Sequence, residues 1–173
     1  MQRLSTEQWV THERPANRAD FDFVIGAVLD SPGELLQFEQ IPSRRVSERS
    51  FQICALPFLA YGLALGDVVS TEPRGVLEPG RDEYLITAVT ERSGNGLLRV
   101  WIRTKDSKPH ESGSVFRKLS DAFNSASALF ETYDHRLFSI NVETPEKMSV
   151  YHSLIVGITV PGEVETEVSV QPI

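Results

Sequence analysis

Cysteine is almost missing from this chain of 173 residues, where Cys54 is the one thiol. A disulfide framework and any cysteine-based metal site are thereby excluded. Cys54 itself sits in an apolar run, where a thiol is core material and unreactive. Basic residues are also short, 17 Lys and Arg against 24 Asp and Glu, for a net charge of −7. Phosphate-backbone binding needs clustered cations, so no nucleic-acid partner is expected. The acidity suits a basic protein partner, although mild acidity also serves plain solubility. Met1-Gln2-Arg3-Leu4-Ser5 leads into polar sequence, not an apolar leader, and the expected location is cytoplasmic.

Reaction centres are missing too. His12, His110, His135 and His152 stand at no ligand spacing, so no metal is expected. Ser93-Gly94-Asn95-Gly96 is glycine-rich but joins two strands and opens no helix, so it is no phosphate cradle. Gly113-Ser114-Val115 lacks the second glycine of a nucleophile elbow. Carboxylates such as Glu131 and Asp134 would meet a partner only through tertiary structure. No cofactor and no enzymatic activity are expected.

What is present is a central apolar stretch, Ser50 to Val69, interrupted by Pro57, Gly62 and Gly66. The interruptions favour a buried strand–turn–strand over a membrane span. Phe51, Ile53 and Ala55 read as one strand face, Phe58-Leu59-Ala60-Tyr61 as a single helical turn, and Asp67–Thr71 as a second strand. Before it, residues 1–20 read as a flexible N-terminal arm, with Trp9 and Val10 to dock it. A strand over 21–29 closes in the turn Asp30-Ser31-Pro32-Gly33. Leu35, Leu36, Phe38 and Ile41 fit either a strand or a short helix. After it, residues 73–83 read as an exposed loop with two prolines and two glycines, and Tyr84–Thr90 as a strand. Asn95-Gly96 predicts a hairpin returning through Leu97–Arg103.

The second half reads more clearly. Val115, Phe116, Leu119, Ala122, Phe123 and Ala126 line one helix face, starting near Ser112–Ser114. A hairpin turns at Asp134-His135-Arg136. Thr144-Pro145-Glu146 opens a second helix, with Met148, Tyr151, Leu154 and Ile155 inward and Gly157 available as its end cap. A final strand alternates from Glu163 to Val170. The expected fold is α+β: a curled antiparallel β-rich half over 21–95, joined through a shared strand to a ferredoxin-like βαββαβ half over 96–173. Val100, Ile102, Phe138, Ile140, Val142, Val164, Val168 and Val170 would face the helices. Arg99, Trp101, Arg103, Ser139, Asn141, Glu163, Glu165 and Glu167 would take the opposite face, the glutamates pairing with the arginines. Three glutamates and one aromatic argue against RNA on that face. The plainer reading is that Trp101 packs on the first half.

Two stretches carry a likeness. Pro57, Phe58, Gly62, Ala64, Gly66, Asp67 and Val69 follow the pattern P-F-x-x-x-G-x-A-x-G-D-x-V, and Ser93, Gly94, Arg99 and Val100 follow S-G-x-x-x-x-R-V. With the βαββαβ tail, the chain resembles the bacterial family domain of unknown function 4265 over roughly residues 20–170. The likeness implies kinship and carries no reaction. The expected function is therefore binding: an immunity protein occluding the active site of a basic bacterial toxin domain. Its contacts would be Arg74, Glu78, Arg81, Asp82 and Glu83 on the exposed loop, with Trp101, Glu163 and Glu165 on the sheet. The alternative is a small-molecule or regulatory domain with its pocket near Tyr61 and Asp67.

Overall fold

The computed structural model describes residues 7–29, 36–78, 81–104 and 113–173, with the backbone alone for 75–78, 81 and 82. The turn at 30–33, Leu35, His110 and Ser112 lie outside the described residues. The fold is mixed α+β and strand-rich. In chain order the elements are β1 (Glu7–Val10), β2 (Phe23–Leu29), β3 (Leu36–Arg45), β4 (Ser50–Ile53), β5 (Val68–Glu78), β6 (Arg81–Glu91), β7 (Gly96–Ile102), α1 (Val115–Ser125), β8 (Phe130–Tyr133), β9 (Leu137–Val142), α2 (Pro145–Ile158) and β10 (Val164–Val170). Neither helix is long and apolar enough to cross a membrane.

Strands β2 to β6 close into a ring, because the long β3 pairs with β2 along most of its length and with β4 at its end. Successive strands in the ring run antiparallel. Five strands alternating in direction leave the first and last parallel, and β2 and β6 meet in that sense at a single pair, Gly26 with Leu85. The approach is close: a Cβ at position 26 would stand 2.7 Å from Leu85 Cδ2, and that side chain would have to shift to admit it. Beyond that pair the two strands separate, leaving a seam. Inside the ring pack Ile25, Ile41, Phe51, Ile53, Val69 and Tyr84.

The N-terminal segment is not a loose arm where it is described. Residues 7–10 form β1, parallel to β3, and Trp9 stacks on Phe38 at 4.6 Å. The ambiguous stretch after Leu35 is strand, with Phe38 and Ile41 buried on opposite faces of it. Residues 73–78 and 81–83 are not open loop either. They extend the β5–β6 pairing, with Gly75 opposite Glu83 and Glu78 opposite Arg81. Pro73 sits beside a register shift that absorbs its missing N–H.

In the second half a four-stranded antiparallel sheet has the order β10-β7-β9-β8, and both helices pack on one face. The Ser114 hydroxyl caps α1 by accepting from Arg117 N–H, and Thr144 caps α2 by accepting from Lys147 N–H. Gly157 lies inside α2, which runs on to Ile158. Asp134 and His135 both take positive φ, 48° and 51°, in the tight β8–β9 turn. The helix-facing residues are those expected, with one exception. A bulge between Val168 and Val170 turns Val170 to the other face, against Leu56, Leu65 and Leu97.

Asn95-Gly96 does not make a hairpin. β6 belongs to the ring and β7 to the four-stranded sheet, so residues 92–95 carry the chain between sheets and no strand is shared. The sheet face away from the helices meets the ring and the segment 54–67, burying Leu97, Arg99, Leu137, Ser139 and Asn141. Gly96 is held tightly in this junction. A Cβ there would lie 2.7 Å from Pro172 N and 2.8 Å from the Val170 carbonyl, backbone atoms that cannot swing away. Gly96→Ala should cost about 1–3 kcal/mol in equilibrium urea unfolding, the usual penalty of overpacking.

Candidate functional site

Residues 54–67 join β4 to β5 without regular structure, yet most of them are buried. Buried N–H groups need acceptors. Glu39 supplies several. It shares the core side of β3 with Ile41, and its carboxylate accepts from the N–H groups of Phe58 (2.6 Å), Leu59 (2.9 Å) and Ala60 (2.7 Å). This replaces the helical turn expected at 58–61. Glu131, from β8, accepts from Leu56 N–H at 2.7 Å and Ala16 N–H at 2.8 Å. Asp67 closes the far end, accepting from Ala64 N–H, Ser93 N–H and the Arg92 guanidinium.

His12 lies between the two glutamates. Its Nε2 is 2.9 Å from Glu39 and its Nδ1 2.6 Å from Glu131, its ring stacks 4.2 Å from Phe58, and its side chain has no exposed surface. Burial alone would lower the imidazole's proton affinity. The hydrogen bonds and charges of Glu131 and Glu39 outweigh it and lift the pKa to about 9. Both ring nitrogens then carry protons and donate. Burial likewise pushes Glu39 up, but His12 and the backbone N–H groups hold it below the ordinary carboxylate range. The cluster is saturated by its own bonds, with both ring nitrogens engaged. Among the described residues no group of three or more His, Cys, Asp or Glu is arranged to hold a metal ion.

On the solvent side of the same segment the chain turns outward. Tyr61 is 67% exposed, and Gly62 beside it takes φ +70°. Arg99 of β7 lies wholly buried under Tyr61, its guanidinium 4.6 Å from the ring centroid. Its Nη2 donates to the Ala60 carbonyl at 2.5 Å, and Nη1 stands 3.9 Å from Glu167. The Tyr61 hydroxyl donates to Glu167 at 3.3 Å. Where β2 and β6 diverge, Ala27, Val28, Ala60, Tyr61, Gly62, Leu63 and residues 86–89 surround a cleft of ≈ 250 Å³.

The residues expected to bind a partner are scattered. Arg74 is engaged, paired with Glu7 and Glu83 and lying 4.2 Å over the Phe38 ring. The side chains of Glu78, Arg81 and Asp82 lie outside the described residues. Trp101 is half-buried against the ring core, so the plainer reading of it holds. Glu163 accepts from Val160 N–H in the turn before β10, and Glu165 pairs with Arg103. Of the proposed pocket pair, Tyr61 lines the cleft, while Asp67 is buried and spent on the loop. His12, Glu39 and Arg99 are not among the contacts expected from the sequence, where His12 reads as no ligand and Arg99 as one of the sheet-face charges. The available signal was parity: Glu39 stands two positions from Ile41, on the core side of a strand.

Removing His12 would leave two buried carboxylates without their cation. His12→Ala should cost on the order of 3–5 kcal/mol in urea unfolding at neutral pH. The folded pKa, about 9, lies above the ordinary 6.5. The stabilisation is therefore complete below 6.5 and is lost as pH rises through 9, on the order of 3 kcal/mol in all. The wild-type protein should show this alkaline slope and His12→Ala should lack it.

The likeness to known proteins can be set beside this geometry. A crystal structure described as a novel structure of a hypothetical protein from Neisseria gonorrhoeae shares the fold at TM-score 0.64 and 15% identity. The match covers 87% of this chain and 95% of that one. No curated protein matches. A family model matches residues 39–164, from Glu39 past both helices to Val164. The chain belongs to the family described as Domain of unknown function (DUF4265).

Proposed function

We propose that this is a non-catalytic binding protein, acting in the cytoplasm as an immunity protein that occludes the active site of a basic bacterial toxin domain. One observation carries the reading: Tyr61 is exposed yet held in place, by Arg99 beneath its ring and Glu167 at its hydroxyl. An aromatic fixed in this way loses little entropy on binding, which is the character of an interface anchor. Acids accompany it. Glu165, with a side chain 61% exposed, and Glu167 lie on β10, which among the described residues pairs only with β7. With a net charge of −7 such a rim would steer a basic partner. We read the half that presents it as a ferredoxin-like module, supported by the strand order β10-β7-β9-β8 with a helix in each crossover. A non-catalytic role is supported by the polar groups of the His12 cluster, whose bonds are used within the fold.

The test is capture with tagged protein from the native bacterium, followed by co-expression of the captured domain with its inhibitor. A toxin domain should be recovered whose growth arrest is reversed by the wild-type chain. Tyr61→Ala should weaken the complex by about 2 kcal/mol, roughly 30-fold, and Glu165→Lys should slow association. Rescue indifferent to both substitutions would sink the reading. A second reading has its own support: the cleft of ≈ 250 Å³ beside Tyr61 favours a small ligand held in the seam of the ring.

A further inference from the structure

Arg99 is under-used. Its side chain is fully buried, but Nε and Nη1 have no hydrogen-bond acceptor among the described residues. The nearest carboxylate, Glu167, stands at 3.9 Å from Nη1, beyond hydrogen-bond reach. Buried guanidinium N–H groups left unfilled are costly, more so than neutral donors. Arg99 does not itself line the cleft but lies behind two residues that do. Arg99 donates to Ala60 and lies under Tyr61, and both residues line the ≈ 250 Å³ opening between β2 and β6. The remaining lining is mostly apolar, from Ala27, Val28, Leu63, Ile86 and Val89.

Resting on the small-ligand reading of that cleft, we infer that Arg99 is the anchor of an anion site. Its ligand is a small monocarboxylate with an apolar tail, admitted when Tyr61 swings aside. The tail occupies the seam and the carboxylate takes the free N–H groups of Arg99. Size supports this class: the cleft is smaller than the roughly 300–1,000 Å³ of sites for drug-sized ligands. Charge selects within it. Glu167 and, further off, Glu39 both act on the Arg99 charge, so a dianion such as phosphate meets more repulsion than a carboxylate. A planar guanidinium also matches a carboxylate in shape. Glu167 is then an internal competitor, holding Tyr61 and Arg99 together until ligand arrives.

Isothermal titration and thermal shift with hexanoate, hexan-1-ol and inorganic phosphate test the assignment. Hexanoate should bind and raise the melting temperature with concentration, while hexan-1-ol and phosphate should not. Glu167→Gln should tighten hexanoate about tenfold by removing the competing charge. Arg99→Gln should abolish binding. Where that variant fails to fold, the Glu167→Gln result decides alone. Equal binding of hexan-1-ol and hexanoate would overturn the anion site and leave the cleft reading standing. Binding of neither would overturn both. Phosphate binding as tight as hexanoate, or no gain in Glu167→Gln, would overturn the carboxylate assignment.

Discussion

Carboxylates make this fold possible by serving as acceptors for buried backbone that belongs to no helix or strand. Between β4 and β5 the N–H groups of Leu56, Phe58, Leu59, Ala60 and Ala64 all donate to Glu131, Glu39 or Asp67. An orphaned buried N–H costs about 1–3 kcal/mol. Five of them would together consume a stability of about 5–15 kcal/mol, the whole of an ordinary domain's. The apolar side chains of the stretch explain why it is inside. The three acids explain how it can be.

Those acids create a second requirement, because buried negative charge needs a counter-charge. His12 meets it for two carboxylates at once, and each comes from a different half of the molecule: Glu39 from the ring, Glu131 from the four-stranded sheet. The N-terminal segment is therefore a structural pin. Opening one half alone would strip the imidazolium of a partner, so the two sheets depend on each other although no strand of one pairs with the other among the described residues. Arg99 acts in the same junction with the opposite sign, serving the Ala60 carbonyl while Glu167 stands nearby.

Periodicity made much of the fold legible. The α1 face through Leu119 and Phe123, the Thr144-Pro145 cap and, Val170 apart, the helix-facing sheet residues are local patterns, and each lies where the periodicity places it. What escaped depends on partners distant in sequence. Asn95-Gly96 has hairpin chemistry, but Ser93 N–H and the Asn95 side chain are bound to Asp67 and the Leu65 carbonyl, and this turns the chain into a different sheet. His12 and Glu131 are separated by 119 positions. No spacing rule links them, and each alone reads as an ordinary polar residue. Prolines and glycines punctuate residues 73–83 and read as loop chemistry, yet register shifts let paired strands hold Pro73 and Gly75.

The family pattern falls on this same scaffold. Phe58 is a donor to Glu39, Gly62 and Gly66 take the positive φ that the segment needs, Asp67 closes it, and Arg99 holds the Ala60 carbonyl. Kinship in these residues accounts for a shared frame without naming a task. Tyr61 stands at one of the positions that the pattern leaves open. On the binding reading this division has a physical cause: the motif residues build the frame, and Tyr61, seated over Arg99 and beside Glu167, is what that frame presents to solvent.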